Sequence, residues 1–151
     1  MKATLTSPLV CSLAAAALLL GSAGLNADIP TETMPRPAQS ALQVNALELN
    51  DLVIRGRVLV VDVRPREAYE RAHVPGALSV PLDEITVRVD ELRSSDKVIV
   101  AYCAGPRGEN GLKAAIALRE LGVKRVRALT GGFQSWVTQG NVVEVQPTMA
   151  E

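Results

Sequence analysis

The sequence predicts an α/β domain: a parallel sheet covered by helices on both faces. Short runs rich in Val and Ile alternate along the chain with stretches of helical spacing, and strands that take turns with helices build sheets buried on both sides. Aromatic residues make up only 3% of the chain against 48% hydrophobic residues, so the core is aliphatic, as such sheets require. Gly and Pro fall between the runs, where one element must give way to the next.

A chain of 151 residues has room for one domain. Its 16 basic and 16 acidic residues cancel to a formal net charge of zero, which argues against a nucleic-acid partner. One histidine, His73, and two cysteines, Cys11 and Cys103, are too few for a closed zinc site. No metal and no cofactor is expected.

Residues 3–27 carry no charge and follow Lys2, with an apolar centre over 9–20 and small residues over 21–24. This pattern predicts a signal peptide over 1–27, removed after Ala23, Gly24 or Ala27, and hence a periplasmic or secreted protein with no membrane attachment after cleavage. The alternative is an uncleaved N-terminal membrane anchor, against which Pro8, Gly21, Gly24 and Asn26 count. Cys11 lies inside the apolar stretch and not behind it, so no lipid attachment is indicated. Cleavage would leave Cys103 as the only thiol, with no internal disulfide possible. A lone cysteine kept in an oxidising compartment needs burial or a chemical purpose.

Residues 28–40, with Pro30, Pro35 and Pro37, are too polar and too proline-rich to bury much surface, and are expected to be a flexible leader. The folded body is expected over 41–140, with a tail at 141–151 of which 141–145 can add an extended piece. Helical spacing over 46–55 stops at Gly56. The run 58–63 is β-branched and apolar on both faces except for Asp62, as in a central parallel strand. Pro65 suits a first helical position and opens a helix to residue 72. Residues 77–80 form a brief extended piece between Gly76 and Pro81, and a helix follows around 83–92. The second strong strand is 97–102. The strongest helix covers 109–121 and is ended by Gly122. A strand at 126–129, a turn at Gly131 and Gly132, and a helix at 133–139 complete the body.

In open α/β sheets, ligands gather at the carboxyl ends of strands. Cys103 takes that place, at the end of one strong strand and the head of the loop Cys103, Ala104, Gly105, Pro106, Arg107, Gly108 that leads into the strongest helix. Glycines there let successive amides point inward, and the helix start adds partial positive charge, so the thiolate is favoured. Arg107 either adds to this or holds an anionic substrate, unless it is an ordinary solvated loop arginine. The plainer reading of Cys103 is a small apolar residue that ends a buried strand. His73 sits among Val74, Pro75 and Gly76, a turn composition that favours a structural hydrogen bond over a Cys-His pair.

Four motifs together resemble single-domain rhodaneses, the sulfurtransferases: Asp62-Val63-Arg64 after a buried strand, the segment from Ala72 to Ala77, Tyr102-Cys103 at a strand end, and Gly131-Gly132-Phe133 through Trp136. The resemblance covers about 44–136. It implies a rhodanese-like domain in which Cys103 takes sulfane sulfur from thiosulfate or a related small sulfur-containing anion, becomes a persulfide, and passes the sulfur to cyanide or a thiol. The backbone from Ala104 through Gly105, Pro106, Arg107 and Gly108 to Glu109 would cradle the outer sulfur. Asp62, Arg64 and His73 match positions that brace the fold.

The common loop has Gly three and Arg five residues after the Cys; here Pro106 and Gly108 stand there, with Gly105 and Arg107 one step early. A related fold hosts cell-cycle dual-specificity phosphatases, whose thiolate needs an arginine six residues on. That position is Glu109, whose carboxylate would repel a phosphate. The remaining alternative is a rhodanese-like module that binds a partner or carries sulfur without turnover.

Overall fold

The computed structural model describes residues 40–105 and 109–146. Its five strands are β1 (Gln43–Val44), β2 (Val58–Asp62), β3 (Leu78–Ser79), β4 (Val98–Tyr102) and β5 (Val126–Leu129). They form one sheet in the order β1-β5-β4-β2-β3, every pair parallel. The helices are α1 (Ala46–Ile54), α2 (Arg66–Arg71), α3 (Ile85–Arg93), α4 (Glu109–Glu120) and α5 (Gly132–Thr138), with a 3-10 turn, Leu82–Glu84, ahead of α3. This is the α/β architecture expected from the sequence.

Strand alternation sorts the aliphatic runs into two cores. Val61, Val63, Ile99, Ala101, Val126 and Ala128 face α3 and α4, where they meet Ile85, Val89, Leu92, Ala114, Ala115 and Leu118. Val58, Val60, Val100, Tyr102 and Leu129 face the other way, onto Leu49 of α1 and Trp136 of α5. Asn45 caps α1 by accepting the Glu48 amide at 2.9 Å, which satisfies a donor the helix cannot. Small side chains let α4 lie close to the sheet: a Cβ on Gly111 would stand 3.3 Å from the Ala101 carbonyl oxygen.

Three local features differ from expectation. The edge strand β1 was not foreseen, because two residues show no periodicity; it is held by the Ala128 and Thr130 amides, which donate to the Leu42 and Val44 carbonyls at 2.6 and 2.8 Å. Pro65 is the extended N-cap of α2, one place ahead of the first helical residue. Asp83 and Glu84 lie in the 3-10 turn, so α3 begins at Ile85. Beyond Gly140, residues 141–146 run back along the body: Glu144 pairs antiparallel with His73, and the Trp136 indole donates to the Val142 carbonyl at 2.8 Å.

Candidate active site

The chain leaves β2 toward β3 at one edge of the sheet and leaves β4 toward β5 on the other side, while β2 and β4 are hydrogen-bonded neighbours. The carboxyl ends of β2 and β4 therefore form a topological switch point, where connections part and leave a crevice. Cys103 follows β4 at this point, and Val63 and Arg64 follow β2.

Cys103 is 7% exposed and its side chain belongs to the core under α3 and α4, with Val63, Ala114 and Ala115. Its backbone is gripped from two sides. A Cβ on Gly111 of α4 would lie 3.4 Å from the Cys103 nitrogen. On the other side, the Phe133 amide in the first turn of α5 donates to the Cys103 carbonyl at 2.7 Å. Gly132, at φ +58°, packs so tightly there that a Cβ would collide with the Cys103 carbonyl oxygen and reach 2.9 Å from that of Gly105. Ala104 is exposed and Gly105 half-buried, and Glu109 opens α4. Pro106, Arg107 and Gly108, expected in the sulfur cradle, lie outside the described residues.

Asp62 and Arg64 are both buried and joined by a forked ion pair, with Nε 2.9 Å from Oδ1 and a terminal guanidinium nitrogen 2.6 Å from Oδ2. Arg64 also donates to the Ala72 carbonyl at 2.6 Å, and its guanidinium lies 4.1 Å over the Phe133 ring. The Tyr102 hydroxyl donates to Asp62 at 2.6 Å and accepts the Val74 amide at 3.2 Å. Burial, then the neighbouring Asp62 charge and hydrogen bond, push the Tyr102 hydroxyl far above its ordinary range. For Arg64, burial pulls its basicity down, but the hydrogen bonds and charge of Asp62 outweigh this and raise it. Sequence reasoning missed Tyr102 and Phe133 as members of this cluster. The available signal was a tyrosine at a buried strand end, whose hydroxyl must find a partner.

The His73 ring is engaged by its neighbours on both nitrogens. Its Nδ1 donates to the Tyr69 carbonyl at 2.8 Å and its ring stacks on Tyr69 at 3.8 Å, while its Nε2 faces Glu144 at 3.7 Å.

At the carboxyl end of β2 opens a cleft of about 470 Å³, with Val63, Pro65, Pro81, Leu82 and Asn110 among its walls. Two of these touch the cysteine's surroundings: the Val63 amide donates to the Tyr102 carbonyl at 3.0 Å, and Asn110 precedes Gly111. Among the described residues one cysteine stands at a switch point of an α/β sheet, its backbone held by the starts of α4 and α5.

Residues 45–139 match the family model of the rhodanese-like domain, and the chain belongs to the rhodanese-like family. It is 38% identical over 89 residues to the HTH-type transcriptional regulator Rv0324 of Mycobacterium tuberculosis, covering 59% of this chain and 38% of that protein. It is 35% identical over 77 residues to the putative sulfur carrier protein YrkF of Bacillus subtilis, covering 51% and 40%. With the thiosulfate sulfurtransferase GlpE of Coxiella burnetii it shares 31% over 94 residues, 62% of this chain and 85% of that enzyme. The chain thus spans about two fifths of the first two relatives. Among solved structures, the BH2092 protein of Bacillus halodurans superposes with a TM-score of 0.65 at 33% identity, covering 72% of this chain and 80% of that one.

Proposed function

We propose that this protein is a sulfurtransferase that carries sulfane sulfur on Cys103. The observation that supports it most is the position of Cys103, at the switch point with its backbone gripped between α4 and α5. The nucleophile is the thiolate. It attacks the outer sulfur of thiosulfate or a related donor; the donor's S–S bond breaks, its electron pair leaves with sulfite, and Cys103 becomes a persulfide anion. An acceptor, cyanide or a thiolate, then attacks the outer sulfur. Thiocyanate or the acceptor's persulfide departs, and the Cys103 thiolate is restored.

In this reading the backbone N–H groups of the loop that follows Cys103 hold the terminal sulfur anion, Pro106 excepted because it has no N–H to give, and the start of α4 adds favourable potential. No side-chain base is needed, which agrees with the engagement of His73 elsewhere. Asp62, Arg64 and His73 hold the frame. The likeness to GlpE supports turnover with thiosulfate, and that to YrkF supports a second reading, a sulfur carrier that releases its cargo only to a dedicated partner. We further propose that 1–27 directs export and is removed.

The test is thiocyanate production from thiosulfate and cyanide by wild-type protein and by Cys103→Ala. Turnover by the wild type and none by a folded alanine variant is expected. An active alanine variant would remove Cys103 from the reaction, and a wild type that loads sulfur without turning over would favour the carrier.

A further inference from the structure

The peptide that joins Cys103 to Ala104 is trans, so its carbonyl and its N–H point in opposite directions. The carbonyl is fixed, because it accepts the Phe133 amide at 2.7 Å. That amide is one of the first-turn donors that α5 cannot satisfy within itself, and the N-cap residue, Gly131, has no side chain to accept it. The Ala104 N–H is therefore turned away from α5 by the bond that holds the carbonyl. The Phe133 ring is anchored as well. The Arg64 guanidinium lies 4.1 Å over its centroid, and the Tyr102 ring stacks with it at 6.0 Å between centroids, the planes inclined by 22°. Both of these neighbours are bonded to the buried carboxylate of Asp62. The first turn of α5 is thus tied by its side chain to the end of β2 and by its backbone to the end of β4.

Resting on the sulfur-transfer reading, we propose that Phe133, held by Arg64 and Tyr102, is a positioning residue: through the Cys103 carbonyl it aims the Ala104 N–H at the outer sulfur of the Cys103 persulfide. Ala104 directly follows the cysteine, so its N–H is the first donor the loop can offer. The outer sulfur carries the negative charge, and a hydrogen bond to a charged group is worth more than one between neutral groups. Its worth depends on aim, because a donor fixed in advance costs no reorganisation when the charge arrives. A peptide without the Phe133 anchor can rotate about the single bonds on either side of it, and the N–H swings off the sulfur. Phe133 touches neither sulfur. It acts through one peptide plane.

The experiment compares two reactions of the same thiol in the full chain: uptake of sulfur from thiosulfate, which leaves a charged outer sulfur, and alkylation by iodoacetamide, which leaves an uncharged thioether. Both start from the thiolate and both need folded protein, so a merely structural loss moves them alike. The quantity read is the ratio of the uptake rate to the alkylation rate. It is measured in wild type, in Phe133→Leu, in Phe133→Tyr, and in a chain carrying phenyllactate in place of Phe133, which keeps the ring and replaces the amide N–H with an ester oxygen. The ratio is expected to fall about tenfold in the ester chain and about fivefold in Phe133→Leu, and to stay within about twofold of wild type in Phe133→Tyr, which keeps the ring. An ester chain with the wild-type ratio, still taking up sulfur, would overturn the inference and leave the sulfur-transfer reading standing. Equal ratios in Phe133→Leu and Phe133→Tyr would overturn it too, and that pair decides the matter if the ester chain does not fold. A wild type that is alkylated but takes up no sulfur would overturn both.

Discussion

Gly132 stands against the carbonyl oxygen of Cys103 with no room for a β-carbon between them, and its φ of +58° lies in the left-handed region. The start of α5 and the head of the cysteine loop are therefore packed backbone to backbone.

Gly132→Ala is expected to destabilise the protein by about 2–4 kcal/mol, from left-handed strain and from overpacking. Because the atoms that must move belong to Cys103 and Gly105, sulfur transfer should also fall when measured well below the melting temperature. Urea titration alongside the transferase assay checks both. A variant as stable and as active as wild type would show that the contact does not position the loop.

Arg64→Ala leaves the Asp62 carboxylate buried without its cation, at an expected cost of about 3 kcal/mol. Arg64→Lys should recover only part of this, since an ammonium cannot reproduce the forked pair or the stacking over Phe133. Denaturant midpoints of the two variants measure it. A loss below about 1 kcal/mol for the alanine variant would show that the pair contributes little more than an exposed one.

Tyr102 predicts a limit on the alkaline side. Burial and the Asp62 charge raise its folded-state pKa above that of the unfolded chain, about 10. The folded state therefore holds the proton that the unfolded state releases. The resulting stability is complete below about pH 10 and is lost as pH rises above it. Tyr102→Phe should be less stable near neutrality by about 1–3 kcal/mol, because the Val74 amide and Asp62 each lose a partner. It should also lose stability less steeply above pH 10. Equal slopes would place the alkaline sensitivity elsewhere.

The segment beyond Gly140 contributes to the fold. The Glu144 amide and carbonyl exchange hydrogen bonds with His73 at 2.9 and 2.8 Å, and its carboxylate accepts the Gly76 amide at 2.9 Å. Ending the chain at Gly140 is expected to cost about 2 kcal/mol, given a net worth of about 1 kcal/mol for a typical hydrogen bond and the exposure of this edge. Thermal unfolding of the shortened chain tests it; an unchanged melting temperature would make these contacts incidental.

What the sequence disclosed follows from the range of its signals. The strands β2 and β4 were legible as aliphatic runs and α4 as a helical period, because a sheet buried on both faces needs the one and a covering helix the other. Cys103 was legible as a thiol between a strong strand and a strong helix. The bond from Tyr102 to Asp62 was not, because it joins residues 40 apart in sequence and no local pattern records which buried hydroxyl meets which carboxylate. The strand β1 and the pairing of Glu144 with His73 escaped for a different reason: each involves too few residues to show a period. Gly132 could be read as a turn, but its contact with Cys103 depends on the fold bringing α5 back across the end of β4.

The central claim is that Cys103 carries the transferred sulfur, and intact-mass analysis after incubation with thiosulfate addresses it most directly. The account predicts that reduced wild-type protein gains the mass of one sulfur atom, loses it on addition of cyanide or a thiol, and that Cys103→Ala gains none. A wild type that stays at its original mass, or an alanine variant that takes up the same sulfur, would contradict it.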